Sequence, residues 1–469
     1  MLQELFPNKS KINVRYDDLN DKGYHGVLID VLSKDLNFHN SNSRYASHNF
    51  HSFPAKFPPQ LPAQFIQRLT KPGDTVLDPM AGSGTTLVEA YLNDRIAIGF
   101  DIDPLAILLS KVKTSPLNYD RLYSEYVRII RNAENEYRKN PSKLMEIAGK
   151  RWDEETCKFV NYWFHQDTQA ELLSLIIEIE RIDDDEIKNF FKLMFSSVIV
   201  TKTGGVSLAL DLAHTRPHRA KIIFSKEGNC IEGIDIYKNE SINKNLIKKL
   251  KSPIEEFKKK FHQNIETVSR SEIRKYLPEI HFGDAQHLPL GNDTIDLIVT
   301  SPPYASNAID YMRAHKFTLV WFGYTIRQLS EKRKEYIGGE STSNIDLENL
   351  PEFSRSIIKN VAKKDIKKSK AIHRYYSEIV RILKEMKRVL KPSHAAILVV
   401  GNSIIRGEDI QIAKCFEEIG STLGFDIPYI SVRELDRNKR MMPTGFIQDK
   451  SSQIQKRMHE EYVIPFYKP

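Results

Sequence analysis

Two short β-type runs stop at turns that cannot continue a strand. Thr75-Val76-Leu77 ends at Asp78 and a glycine loop, Pro79-Met80-Ala81-Gly82-Ser83-Gly84-Thr85. Ile295-Asp296-Leu297-Ile298-Val299-Thr300 ends at Ser301-Pro302-Pro303-Tyr304. After the first, Gly84 to Asn93 reads as a helix, Arg95 to Phe100 as the next strand ending at Asp101, and Asp103-Pro104 as the start of another helix, where proline is tolerated in the first turn. Strand and helix in alternation predict a parallel α/β sheet with helices on both faces.

The pattern stops near Lys113 and resumes at Glu279-Ile280-His281-Phe282-Gly283-Asp284. Residues 115–275 between them read as a mainly helical insert. Residues 1–45 are polar, an irregular arm with a short helix around Val27 to Leu32. The expected organisation is therefore an arm (1–45), an α/β domain in two pieces (46–114 and 276–469) and the insert. A chain of 469 residues has room for this.

Composition excludes little. Apolar content of 41% and charged content of 28% are ordinary for a globular protein, and no run reaches the length of a membrane span. The N-terminus lacks a signal-peptide layout. The three cysteines, Cys157, Cys230 and Cys415, are far apart and lack metal-ligand spacing, so no metal site is expected and a reducing cytoplasm fits best. A net charge of +8 permits a polyanion partner without requiring one.

Gly82 and Gly84 let the backbone turn sharply and approach a ligand closely. The helix after them aims unpaired N–H groups into the same space, which suits a carboxylate. The spacing fits neither a phosphate-binding Walker loop nor a dinucleotide fingerprint. Asp78, Asp101 and Asp284 close three successive strands, and acids so placed describe one crevice at the carboxyl edge of a sheet, Asp101 standing where such sites hold ribose hydroxyls. Ser301 and the Pro302 carbonyl supply two hydrogen-bond acceptors on a turn stiffened by consecutive prolines, and Tyr304 an aromatic face. Acceptors of that kind can favour a pyramidal amine as charge develops on its nitrogen.

The glycine loop and Ser301-Pro302-Pro303-Tyr304 together resemble the S-adenosylmethionine-dependent amino-methyltransferases of DNA, specifically the cytosine-N4 type. That resemblance implies a Rossmann-like class I methyltransferase sheet, S-adenosylmethionine as cofactor, and DNA as partner, with the target base flipped out of a duplex. It also implies that residues 78–85, among them Ala81, Gly82, Ser83, Gly84 and Thr85, bind the cofactor. Asp101, with Ile102 beside it, would hold the ribose, and Asp284, with Ala285, the adenine amino group. Phe53-Pro54-Ala55-Lys56-Phe57-Pro58 resembles the motif that packs against the methionine end of the cofactor. The match covers about 48–113 and 280–467. The insert departs from the family plan, because it falls before the Gly283-Asp284 strand rather than between that strand and Ser301.

Ser301 favours cytosine-N4 over adenine-N6 chemistry, where Asp or Asn is more usual. Ring-carbon methylation would need a cysteine after a proline, and there is none. Adenine-N6 methylation, a guanine-N2 tRNA methyltransferase and a non-catalytic nucleic-acid-binding module stay open. DNA contacts are expected in the insert, including Thr203-Gly204-Gly205 and 214–219, or in the lysine-rich 326–371 and 433–442. A setting in restriction and modification implies a possible cognate nuclease.

Overall fold

The computed structural model describes residues 17–53, 56–212, 217–233, 246–269, 273–305, 310–339, 346–435 and 460–469. In chain order the strands are β1 (Thr75–Asp78), β2 (Ile96–Asp101), β3 (Ile222–Phe224), β4 (Cys230–Glu232), β5 (Ile247–Lys249), β6 (Glu279–Phe282), β7 (Ile295–Thr300), β8 (Leu390–Gly401), β9 (Ile404–Ile405), β10 (Glu408–Asp409), β11 (Ser431–Glu434) and β12 (Glu460–Lys468).

Seven of these form one sheet in the order β11-β12-β8-β7-β1-β2-β6. The pairs β6/β2, β2/β1, β1/β7 and β7/β8 are parallel, and β12 runs antiparallel to both β8 and β11. This is the class I methyltransferase sheet. From β1 the chain proceeds outward to β2 and β6, then returns to lay β7 and β8 on the other side. The strand order thus reverses between β1 and β7, and ligand crevices open beyond the carboxyl ends of strands at such a reversal. Asp78 and Thr300 are those two ends.

Alternation along the strands builds two cores. Val76, Leu297, Val299, Ile397 and Val399 face Val27, Leu28, Leu61, Phe65 and Leu87 of helices Asp17–Leu32, Gln60–Leu69 and Thr85–Leu92. Leu77, Ile298, Ala396, Leu398 and Val400 face Tyr375, Tyr376, Ile379, Leu383 and Phe416 of helices Ile366–Val389 and Ile412–Thr422. Buried on both faces, these strands read as continuous apolar runs. The N-terminal helix is longer than its apolar cluster suggested, running from Asp17 through a break at Gly23 (φ 65°).

Helices Tyr119–Lys139, Pro141–Arg151, Glu154–Trp163, Gln166–Glu180, Asp185–Ile199 and Pro253–Ser269 come after the first α/β pieces. They share a third core with helix Pro104–Thr114 and helix Tyr311–Leu319, through Leu105, Leu109, Phe190, Phe261, Phe317 and Trp321. The helical reading of this block misses one feature. Between helices Asp185–Ile199 and Pro253–Ser269 lies a small sheet, β4-β3-β5. Its strands are three residues each, too short for a period-two pattern to register. Among the described residues, no helix is long and apolar enough to cross a membrane, and no group of three or more metal-ligating side chains gathers.

Candidate active site

Asp78 ends β1 and is buried, and its Oδ1 accepts from Thr300 Oγ1 at 2.7 Å and from the Met80 amide at 3.2 Å. Burial pushes this carboxyl up to about 6, against the pull of those two hydrogen bonds. Farther along, Thr86 Oγ1 donates to the Val299 carbonyl at 3.1 Å. The glycine loop is thereby stitched to the end of β7, just before Ser301.

The loop requires glycine at two points. Gly82 has φ 50° and donates its amide to Asp101 Oδ2 at 2.7 Å. Gly84 has φ 73°, and a Cβ there would stand 2.8 Å from Ser110 Oγ and 3.0 Å from Ser110 Cα. From behind, Lys113 Nζ donates to the Ser83 carbonyl at 2.6 Å. Burial first, and then the Lys56 charge, hold the Lys113 ammonium well below its usual range.

Asp101 accepts a second amide, that of Asp103, at 2.8 Å. Desolvation in the cleft, followed by the Asp103 charge, pushes its carboxyl up to about 7. Asp103 caps helix Pro104–Thr114, accepting from Leu105 N at 2.8 Å, while its Oδ2 meets His315 Nδ1 at 2.5 Å. Burial opposes ionisation of Asp103, but the facing His315 and the hydrogen bonds donated to the carboxyl together outweigh it and leave the group below its ordinary range. Phe53 lies over this wall, its ring 5.3 Å from Tyr311 and 5.4 Å from His315, and 3.4 Å from where a Cβ on Gly82 would sit.

One cavity of about 370 Å³ collects these groups. Phe53, Lys56, Asp78, Ala81, Gly82, Ser83, Thr85, Asp101, Ile102, Asp284, Ala285, Ser301 and Pro303 all line it. The volume is within the roughly 300–1,000 Å³ of small-molecule sites. The remaining expected residues fall elsewhere. Gly84 and Pro302 do not reach the lining, and Pro54 lies outside the described residues. Tyr304 is 8% exposed, with its hydroxyl donating to Glu461 Oε1 on β12 at 2.7 Å. Arg433 on β11 pairs with the same Glu461 and also donates to the Leu36 carbonyl at 3.1 Å. That charge belongs to the fold rather than to a DNA-facing surface, and residues 436–442 lie outside the described residues.

Residue chemistry alone did not point to several other lining groups. Asp103, Asp310, Tyr311, Arg333 and Tyr336 also face the cavity. Asp310 is held by Arg313 at 2.9 Å and by Arg333 at 2.5 Å. The local signals among them were the Asp103-Pro104 helix start and the position of Asp310 and Tyr311 just after Ser301-Pro302-Pro303-Tyr304, neither of which assigned a role. Helix Ile326–Glu335 presents Ser330, Arg333 and Lys334 to the cavity, so part of the lysine-rich 326–371 stretch is a cavity wall and not merely a solvated charge run.

The sequence pattern of the DNA methylase family matches residues 4–111 and 295–449, more than half of the chain and both halves of this cavity. The chain belongs to that family. The methyltransferase is 27% identical over 429 residues to the type II methyltransferase M.MvaI of Kocuria varians, spanning 85% of this chain and 88% of the relative. It is 21% identical to M.BsoBI of Geobacillus stearothermophilus, over 84% of this chain and 82% of that one. A 56-residue stretch, 12% of the chain and 16% of the relative, is 52% identical to M.BglI of Bacillus subtilis.

S-adenosylmethionine is the cofactor of this methyltransferase, and the cavity fits it in kind. A glycine loop whose Gly82 and Ser83 line the cleft, a helix N-terminus, a carboxylate already held by two amides at Asp101 and an apolar wall at Phe53 offer the donors, acceptors and surface that an amino acid joined to a nucleoside needs.

Proposed function

We propose that this DNA methyltransferase methylates the exocyclic N4 amine of cytosine, on a base flipped out of duplex DNA. One observation carries the reading: Ser301 and Pro303 open into the same cavity as the glycine loop, and a hydrogen bond between Thr300 and Asp78 ties the two loops together at their roots.

In this reading the cofactor supplies an electrophilic methyl group on a sulfonium. Gly82, Ser83 and the start of helix Thr85–Leu92 receive its carboxylate end, with Phe53 and Lys56 beside it. Asp101 accepts from the ribose, and Asp284 from the adenine amine. Ser301 Oγ accepts an N–H group of the target amine and stabilises the charge that develops on nitrogen, with the consecutive prolines holding its turn rigid. Tyr304 acts from behind, since its hydroxyl is committed to Glu461. A base within a duplex cannot reach such a recessed site, so extrusion is required.

The 115–275 block is the proposed target-recognition region. Restriction and modification in a reducing cytoplasm, with a cognate nuclease, is the setting that the type II relatives favour. Incubation with labelled S-adenosylmethionine and duplex DNA, then digestion to nucleosides, tests the reading. Label is expected in N4-methylcytosine. Label confined to N6-methyladenine would overturn the base assignment, and transfer to tRNA alone would overturn the DNA reading.

A further inference from the structure

Helix Asp185–Ile199 ends beside the cavity wall. Ser196 Oγ on its last turn is 2.9 Å from His51 Nε2, two residues before Phe53. The helix ends at Ile199, and the chain then enters Thr201-Lys202-Thr203-Gly204-Gly205. A second anchor holds the segment after this turn. The Leu208 amide donates to the Trp163 carbonyl at 2.7 Å, and the Trp163 ring is 5.0 Å from Phe317 on helix Tyr311–Leu319, whose first residue lines the cavity. The turn is thus held between two elements that also supply cavity-wall residues, the 51–53 segment and helix Tyr311–Leu319.

Its shape is built rather than loose. Gly204 has φ 71° and Gly205 φ 51°, and a Cβ on either would run into the backbone carbonyls of Ala209 or Val198. The Gly205 amide donates to Thr201 Oγ1 at 2.7 Å, and the Val206 amide to the Val198 carbonyl at 3.1 Å. Lys248, reaching over from β5, donates to the Thr203 carbonyl at 2.9 Å and also to that of Ala209. All this leaves Lys202 and Thr203 exposed at the tip. Beside β3, Lys221 shares the sheet face of Lys248, is exposed and has no ion-pair partner among the described residues, whereas Arg219 is bound to Glu232 and Lys226 to Glu171.

We propose that the turn at 201–205 is the element that contacts the DNA duplex beside the extruded base, with Lys202 and Thr203 as its contact residues and Lys221 meeting a flanking phosphate. The inference rests on the reading of duplex DNA as substrate. A pre-shaped polar tip loses little entropy on binding. Lysines meet phosphates, while a hydroxyl such as that of Thr203 can reach a base edge. Lys248 is a positioning residue, acting through the carbonyls that it holds.

Fluorescence anisotropy with an unmethylated mixed-sequence duplex tests this, alongside calorimetric binding of S-adenosylmethionine. Lys202→Ala combined with Thr203→Ala should raise the duplex Kd about tenfold and cut the salt dependence by about one phosphate contact, with cofactor Kd and thermal midpoint unchanged. Lys221→Ala should weaken duplex binding and lower the salt dependence in the same sense. Unaltered duplex affinity in the Lys202/Thr203 variant overturns the proposal. A wild-type protein that binds duplex through this turn yet transfers no methyl to it would instead count against the activity reading, leaving the turn assigned.

Discussion

Thr300 Oγ1 donates to Asp78 Oδ1 at 2.7 Å, joining the carboxyl ends of two strands that are 222 positions apart in the chain. Both ends are buried, so the bond is shielded from water, and the glycine loop and the Ser301 turn hold one spacing. Removing it with Thr300→Val should cost about 1.5–3 kcal/mol, as for a hydrogen bond to a charged group. Thermal unfolding measures that loss. Steady-state kinetics should show kcat falling together with stability, because both loops shift.

Ser301→Ala keeps the turn and deletes one acceptor. By analogy with the loss of one preorganised group at a reacting centre, kcat should drop about 100-fold. Cofactor Kd by calorimetry should not move. A variant that loses cofactor binding in parallel would place Ser301 in the other half of the cavity.

Asp101 is held near 7 by desolvation and the Asp103 charge. Its ionised form accepts two amides and can still take ribose hydroxyls, whereas the protonated form gives up acceptor capacity. Cofactor affinity should therefore be full above about pH 7 and weaken as pH falls through it, with Asp78 adding a second step near 6. Calorimetry across this range checks the sign. Asp101→Asn should weaken binding at high pH and flatten the profile around the Asp101 titration.

The two loop glycines should differ in tolerance. Gly84→Ala combines a positive φ with a Cβ pressed on Ser110 backbone and side chain, and should cost about 1–3 kcal/mol. Gly82→Ala meets only the Phe53 ring at 3.4 Å, so its cost should be nearer the roughly 1 kcal/mol of backbone strain alone. Denaturant unfolding of both variants gives the order.

His315→Ala would leave Asp103 buried without its partner. Losing a hydrogen bond to a buried carboxyl costs about 1.5–3 kcal/mol. His315→Gln, which can still donate toward Asp103, should recover part of that in the same unfolding experiment.

Much of this protein is set by local chemistry. Apolar runs ending at Asp78, Asp101 and Thr300, with glycine or proline turns behind them, admit few arrangements other than a parallel sheet with a crevice at its carboxyl edge, and Asp78, Gly82, Asp101, Asp284 and Ser301 line a single cavity, joined there by Phe53 and Lys56, which only the family resemblance marked. Helical periodicity likewise marked the block after Lys113, because an amphipathic face repeats within a few turns of chain. What local pattern could not carry was pairing between distant segments. Tyr304 looks like a stacking surface until Glu461 and Arg433 arrive from the last two strands and take its hydroxyl into the interior. His315 and Asp103, 212 positions apart, find each other only because helices Pro104–Thr114 and Tyr311–Leu319 pack together. The three-residue strands β3, β4 and β5 exist through mutual pairing and Lys248, with no period of their own. Hydrogen bonds and ion pairs between residues far apart in sequence are decided by packing, and packing exists only once the chain has closed on itself.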